Sequence, residues 1–310
     1  MRQGEVSSSG AWMGDPQGGV TAPDPLILPD PATRFARTAA RLEARAQGHP
    51  MEGWLRFMAV VARAQQAACD ALSECPAPGA DFVAQAVEAR MPPLALDGHR
   101  RAPCWRDGLA VLLAHVAEAP APAPAQAREV ARALKAAGAG AAEALADAFV
   151  HDSVEAGQAG EALFVAAALQ AYFTRLAGAL DASALRLLPE RGLCPCCGST
   201  PVASLVTASG KTPGARYLHC SICGTAWNYV RAQCVSCGES RSTAVRSFEG
   251  EELVKAETCD ECRSYAKIIY QSKDTAADPY ADDLLTLGLD LKTSEAGWAR
   301  NAPNPLLLVG

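Results

Sequence analysis

Eight of the twelve cysteines fall in four Cys-x-x-Cys pairs within a stretch of 69 residues. The pairs are Cys194/Cys197, Cys220/Cys223, Cys234/Cys237 and Cys259/Cys262. The first and third pairs begin 40 residues apart, and the second and fourth begin 39 apart, so the stretch is one two-pair unit written twice. Two residues between cysteines let a tight turn aim both sulfurs at one point, and two such turns make a tetrahedral thiolate site. The sequence therefore predicts two metal ions, each bound by four cysteines.

Spacing is the only guide to which pairs share a metal. Adjacent pairing closes the two sites with loops of 22 and 21 residues, each long enough for two strands and a turn, and we favour it. The nested alternative, in which the second and third pairs meet across ten residues, stays open. Glycine follows three of the pairs, as Gly198, Gly224 and Gly238, where it relieves a turn with positive φ; Arg263 follows the fourth.

Other uses of these cysteines are weaker. The amino terminus shows no basic-then-apolar order typical of a secretory signal, which argues against disulfides, and four repeated pairs argue against a single redox-active Cys-x-x-Cys. A zinc ion that only stabilises a small domain stays open. Four thiolates suit zinc or iron, so the metal is left open as well. Cys196 is either a bystander or a ligand by a shift in register.

The remaining cysteines and charged residues suggest structural roles. Cys69, Cys75 and Cys104 lie in or beside predicted helices and are expected to act as small apolar residues. His219 precedes Cys220, and we expect it to support the ligands or face solvent rather than bind the metal. The doublet Asp282-Asp283 is interpreted as a charge in the first turn of a helix.

Composition excludes several functions. The formal net charge is −6, and the cysteine-rich stretch has six basic against seven acidic residues, so nucleic acid is not an expected partner. No apolar run reaches 18 residues, which argues against membrane insertion. The five histidines form no metal-binding pair, and no phosphate loop or dinucleotide fingerprint is present. We therefore expect a cytoplasmic protein that is not an enzyme.

Local patterns divide the chain into five parts. Residues 1–30 lack periodicity and predict a disordered leader. Apolar residues at helical spacing predict a helical domain over 31–188. Turns and short β-like runs predict metal modules over 189–228 and 229–272, and a C-terminal helix and tail follow over 273–310. The predicted fold class is multi-domain α+β, with an all-α amino-terminal domain, two tandem rubredoxin-like or zinc-ribbon modules and a C-terminal helix.

Several segments resemble the FdhE family of formate dehydrogenase accessory proteins. They are Cys194–Ser204 (CPCCGSTPVAS), Leu218–Trp227 (LHCSICGTAW), Val230–Gly238 (VRAQCVSCG), Ala256–Cys262 (AETCDEC), Asp278–Asp290 (DPYADDLLTLGLD) and Gly297–Asn301 (GWARN). The resemblance covers roughly residues 31–310 and is sharpest from residue 191 onward.

This resemblance implies a cytoplasmic maturation factor. Members of the family are needed for active respiratory formate dehydrogenase, and they contact its molybdenum-containing catalytic (alpha) subunit before export through the twin-arginine pathway. The eight paired cysteines correspond to the family's metal ligands, and iron has been associated with such sites. Two alternatives stay open: a rubredoxin-like iron protein for electron transfer, and a zinc-ribbon scaffold for another partner. Self-association is also left open.

Overall fold

The computed structural model describes residues 22–120, 123–247, 250–302 and 304–307. Its amino-terminal part is helical, as the fold class predicted. The helices are α1 (Arg34–Ala46), α2 (Glu52–Ala71), α3 (Ala80–Glu88), α4 (Trp105–Glu118), α5 (Ala125–Val150) and α6 (Ala159–Gly178). Short 3-10 turns precede and follow α6, at Ala156–Gln158 and Ala182–Ala184. Among the described residues, no helix is long and apolar enough to cross a membrane.

Helix α6 forms the centre of the helical part. It is buried along most of its length and packs against α2, α4 and α5. Its many alanines have small side chains, so neighbouring helices can approach closely. Two polar side chains in this core pair with each other, because the Gln65 side-chain amide of α2 donates to the side-chain oxygen of Gln170 at 2.7 Å. The apolar faces predicted from helical spacing therefore form one core.

The strands form one mixed sheet. They are β1 (Leu26–Ile27), β2 (Pro201–Val206), β3 (Arg216–Cys220), β4 (Ala226–Asn228), β5 (Thr243–Arg246), β6 (Val254–Cys259), β7 (Ser264–Tyr270) and β8 (Ala299–Arg300). Their order is β1-β4-β3-β2-β7-β6-β5, with β8 added to β7. The first module supplies the antiparallel strands β2, β3 and β4, and the second supplies the antiparallel strands β5, β6 and β7. Strands β2 and β7 pair in parallel, with Ser204 opposite Ile268, and this pairing joins the two groups. The two predicted modules thus share a single sheet.

Strand β1 lies inside the segment predicted to be a disordered leader. Leu26 is buried and pairs with Trp227 of β4, and the Asn228 amide donates to the Pro25 carbonyl at 3.0 Å. The prediction is therefore wrong for residues 22–30, because this short apolar segment pairs with the edge of a sheet that is formed 200 residues later in the chain. Residues 1–21 lie outside the described residues.

The predicted C-terminal helix is two helices, α7 (Ala281–Leu285) and α8 (Leu287–Glu295). The chain leaves helical geometry at Thr286, whose φ is −121° and ψ is 36°. At the start of α7, the Asp278 carboxylate accepts from the Ala281 amide at 2.8 Å. Leu284 of α7 and Leu289 of α8 are buried, whereas Leu291 of α8 is 67% exposed.

Asp282 and Asp283 lie in the first turn of α7, as interpreted, but both are buried and form ion pairs with residues outside the helix. Asp282 pairs with Arg41 of α1 at 2.9 Å. Asp283 lies 3.1 Å from Lys267 of β7 and also pairs with Arg300. Burial raises the pKa of the Asp283 carboxyl, but Lys267 and Arg300 outweigh it, so this pKa lies below its ordinary value. The pairs with Arg41 and Lys267 hold α7 between the helical part and the sheet.

A second correction concerns two cysteines of the helical part. Cys75 and Cys104 form a disulfide between the segment after α2 and the start of α4, with Cα atoms 6.0 Å apart. They are therefore not independent apolar residues. Cys69 is buried and forms no disulfide, as expected for a small apolar residue. Sequence spacing alone could not reveal the pair, since the chain must first fold back between two helices.

We expect Asp283→Asn to lower the free energy of unfolding by about 3 kcal/mol at neutral pH, because it leaves buried cationic groups without their partner. Since the folded-state pKa is depressed, this stabilisation is present above the unfolded pKa of about 3.9 and is lost as the pH falls below it. The difference between wild type and variant in urea unfolding should therefore stay constant from about pH 8 to 5.

The matched control is Glu43→Gln, which removes an exposed ion pair with Arg63. Its effect should stay within about 0.5 kcal/mol. Equal effects of the two substitutions would contradict the assigned role of Asp283.

Candidate metal centres

The first four-sulfur group lies where the sheet meets the helices. Cys194 and Cys197 precede β2, Cys220 ends β3 and Cys223 lies in the turn before β4. The Cys194 and Cys223 sulfurs are 3.5 Å apart, and those of Cys197 and Cys220 are 3.3 Å apart. Each of these cysteines is at most 1% exposed.

Backbone amides shape these turns. The Gly198 amide donates to the Cys194 carbonyl at 2.9 Å, and Gly198 has a φ of +76°. The amides of Ile222 and Cys223 each point at the Cys220 sulfur at 3.4 Å, where they stabilise negative charge on it. Gly224 has a φ of +81°, and a Cβ there would lie 2.8 Å from the Arg34 guanidinium. The predicted need for glycine after the cysteine pairs is met at these two positions.

The second group is built in the same way and is more open. Cys234 and Cys237 precede β5, Cys259 ends β6 and Cys262 lies before β7. The Cys234 and Cys262 sulfurs are 3.6 Å apart, and those of Cys237 and Cys259 are 3.7 Å apart. Cys237 and Cys262 are exposed, whereas the other two are buried.

Arg263 takes the glycine position in this group with a φ of +55°. Neighbouring groups hold it there. Its guanidinium lies over the Trp298 ring, 4.8 Å from the centroid, and its carbonyl accepts from the Ala299 amide at 2.8 Å. The departure from glycine that the sequence shows is thus compensated by contacts from the C-terminal segment.

Both groups fit a metal ion. Four sulfurs around a tetrahedral zinc with bonds of about 2.3 Å would lie about 3.8 Å apart, close to the 3.3–3.7 Å found here. The structure brings the adjacent pairs together, as we favoured, and the nested alternative is wrong. Burial raises the pKa of the Cys194 and Cys220 thiols, and a cation bound between the sulfurs would favour their thiolate forms. The donor set suits zinc or iron.

Two neighbours of the first group fall outside the four-sulfur set. Cys196 is buried against the Cys194 and Cys223 thiols. His219 packs edge-on against Tyr280, with ring centroids 6.4 Å apart. Burial, with Arg37 and Arg34, lowers the pKa of His219 to about 3, so its ring is neutral. This placement agrees with the expectation that His219 is not a ligand.

Sequence reasoning missed the residues that surround the first group. Arg34 donates to the Ile222 carbonyl at 2.9 Å, and Gln170 donates to the Ser221 carbonyl at 2.7 Å. The Tyr280 hydroxyl donates to the Cys220 carbonyl at 3.2 Å. Tyr280 belongs to a segment that carried the family resemblance, which was the available signal. Nothing in the local pattern marked Arg34 or Gln170.

A chain of polar side chains borders the second group. The Ser264 hydroxyl lies 3.0 Å from the Cys262 sulfur and 2.9 Å from the Ser236 hydroxyl. Ser236 in turn donates to the Asn301 side-chain oxygen. Hydroxyl groups next to a thiolate can donate to it and stabilise its charge. Asn301 also ends a segment that carried the resemblance, and it connects to the second group through Ser236 and Ser264.

The two modules meet through close contacts. The buried Arg216 of β3 and Glu257 of β6 form a two-bond ion pair, with N–O distances of 3.1 and 2.6 Å. Gly192 approaches the second module so closely that a Cβ would lie 2.3 Å from the Val235 carbonyl oxygen. These contacts fix the relative positions of the two sulfur groups.

The order of a helical part and two sulfur groups matches a known family along nearly the whole described chain. The profile described as FdhE, N-terminal, matches residues 23–190, FdhE, central domain, matches 193–231, and FdhE, C-terminal domain, matches 232–307. The chain belongs to the FdhE family. A protein named Protein FdhE homolog from Edwardsiella ictaluri is 42% identical over 290 residues, which are 92% of each chain.

Pseudomonas aeruginosa provides two further comparisons with FdhE proteins. Its Protein FdhE homolog is 37% identical over 282 residues, covering 89% of this chain and 90% of that protein. The crystal structure of the FdhE protein from this organism matches with a TM-score of 0.79 and 37% identity, over 92% of this chain and 99% of that chain. The predicted fold class and the suspected family are therefore confirmed.

We expect Cys237→Ser to reduce the bound metal from two ions per chain to one and to loosen the second module, because thiolate ligation contributes directly to folding. Metal analysis of the purified protein by inductively coupled plasma mass spectrometry measures this. Cys69→Ala, a change at a buried thiol outside both groups, should retain two ions. Two ions per chain in Cys237→Ser would rule out Cys237 as a required ligand.

Proposed function

We propose that this protein is an accessory factor for the maturation of respiratory formate dehydrogenase. In this proposal it acts in the cytoplasm and binds the molybdenum-containing catalytic subunit before twin-arginine export. The observation that carries the proposal is membership of the FdhE family across residues 23–307. Relatives that span about nine-tenths of this chain carry the name FdhE, which fits an accessory role rather than catalysis.

The surface around the second sulfur group supports a binding role. A groove of about 570 Å³ runs between the two modules and reaches Cys237. Leu193 and Tyr229 supply apolar surface in it, and Asn301 supplies a polar group. A partner lying in this groove would contact the edge of the second group directly.

We also propose that each four-cysteine group binds one metal ion, iron or zinc. Either ion would offset part of the charge of the four thiolates, and iron would in addition supply a one-electron couple. The exposure of Cys237 and Cys262 favours a second candidate function, electron transfer, because redox exchange needs an approachable centre. Metal analysis of the protein purified from the native host tests this second function, since zinc in both groups would exclude electron transfer through them.

The decisive experiment is formate-dependent dye reduction in membranes of the native host with this gene deleted. Activity should be lost on deletion and restored by the wild-type gene or Cys69→Ala, but not by Cys237→Ser. Full activity without the gene would contradict the maturation role. Full rescue by Cys237→Ser would show that the role does not need the second metal group.

Binding of the client is tested separately. The immobilised protein should retain the catalytic subunit from a cytoplasmic extract of the host, as detected by mass spectrometry. If formate dehydrogenase activity depends on the gene but the immobilised protein does not retain this subunit, direct binding is contradicted and the accessory role stands.

A further inference from the structure

The two four-cysteine groups differ sharply in their access to solvent. In the first group, all four cysteines are at most 1% exposed. In the second, Cys234 and Cys259 are buried, but Cys237 and Cys262 are exposed. The ligand types and sulfur spacings are alike in the two groups, so the difference comes from the surroundings.

The first group is enclosed by segments from distant parts of the chain. The amides of Leu94 and Leu96 donate to the carbonyls of Cys196 and Cys197 at 2.8 and 2.9 Å. On the other turn, Arg34 binds the Ile222 carbonyl at 2.9 Å, while its guanidinium lies between the rings of Phe35 and Tyr280. For a chelator to reach these sulfurs, the helical part must separate from the sheet.

The second group is open to solvent at one cysteine of each turn. In the first turn, the backbone amide of Gly238 donates to the Cys234 carbonyl at 3.0 Å, and the side-chain amide of Gln233 donates to the Gly238 carbonyl at 2.9 Å. The Tyr229 hydroxyl anchors the buried end of this turn by donating to the Cys234 carbonyl at 2.8 Å, whereas Cys237 at the other end is exposed. The opposite turn depends on Arg263, a long side chain in the left-handed region where glycine is favoured. The groove between the modules also leads to Cys237.

We infer that the two sites have different tasks: the first holds its ion as a permanent part of the fold, and the second is an exchangeable site for a soft, thiophilic cation such as Zn²⁺ or Fe²⁺. This inference rests on the proposed binding of two metal ions. In the exchange, a donor atom of an external ligand replaces the Cys237 or Cys262 thiolate on the cation. Each released thiolate takes a proton from water, and no electron is transferred.

Zinc release from the full-length protein tests this inference. Protein loaded with two Zn²⁺ ions is mixed with excess 4-(2-pyridylazo)resorcinol, whose zinc complex is followed by its absorbance. One equivalent should leave at least about tenfold faster than the other, because the second group lacks the enclosing shell of the first. Cys237→Ser should show only the slow equivalent at an unchanged rate, and Cys69→Ala should show both phases.

Alkylation of the wild-type protein gives an independent measurement that does not depend on how a variant folds. With iodoacetamide present during the fast phase, mass spectrometry should find label on Cys237 and Cys262 and none on the first group (Cys194, Cys197, Cys220 and Cys223). Release of both equivalents at one rate, or earlier labelling of the first group, would overturn the inference alone. A protein that takes up no zinc would overturn the metal-binding proposal as well.

Discussion

The burial of four sulfurs between the sheet and the helices is the constraint on which the rest of this structure depends. Burial raises the pKa of Cys194 and Cys220, and a cation between the sulfurs would favour their ionised forms. The turn from Cys220 to Cys223 accepts hydrogen bonds from Arg34 of α1 and Gln170 of α6. Binding of a metal ion at this group would therefore be coupled to docking of the helical part, because each completes the surroundings that the other requires.

Buried ion pairs also fix the position of the second module. Arg216 joins β3 to Glu257 of β6, and Lys267 joins β7 to Asp283 of α7. A buried charge without its partner is costly, so these pairs favour one relative position of the modules over alternatives. The parallel pairing of β2 with β7 also joins the two modules through backbone hydrogen bonds. The second sulfur group thus lies on a rigid support although two of its ligands face solvent.

This combination suits an accessory protein of the FdhE family. The enclosed first group joins the sheet to the helical part, and the open second group beside a groove offers a partner both surface and sulfur donors. The difference in exposure has a simple origin, since the helical part covers the first group and leaves two cysteines of the second group exposed. Two copies of one sequence unit have therefore acquired different chemical environments by position alone.

The sequence by itself determined the four cysteine pairs, their division into two groups, the helical nature of the first part and the family. These features are local: a Cys-x-x-Cys turn, a loop of fixed length and a helical period each depend on neighbouring residues. Only the tertiary structure decided which sulfur group is buried and that both modules share one sheet with Leu26 at its edge. It also decided that Cys75 pairs with Cys104 and that Asp282 and Asp283 are buried. Such contacts join distant segments, as when Arg41 bonds Asp282 across 241 residues. They leave no periodic trace in the chain, because the free energy that selects them comes from burial and pairing in the assembled core.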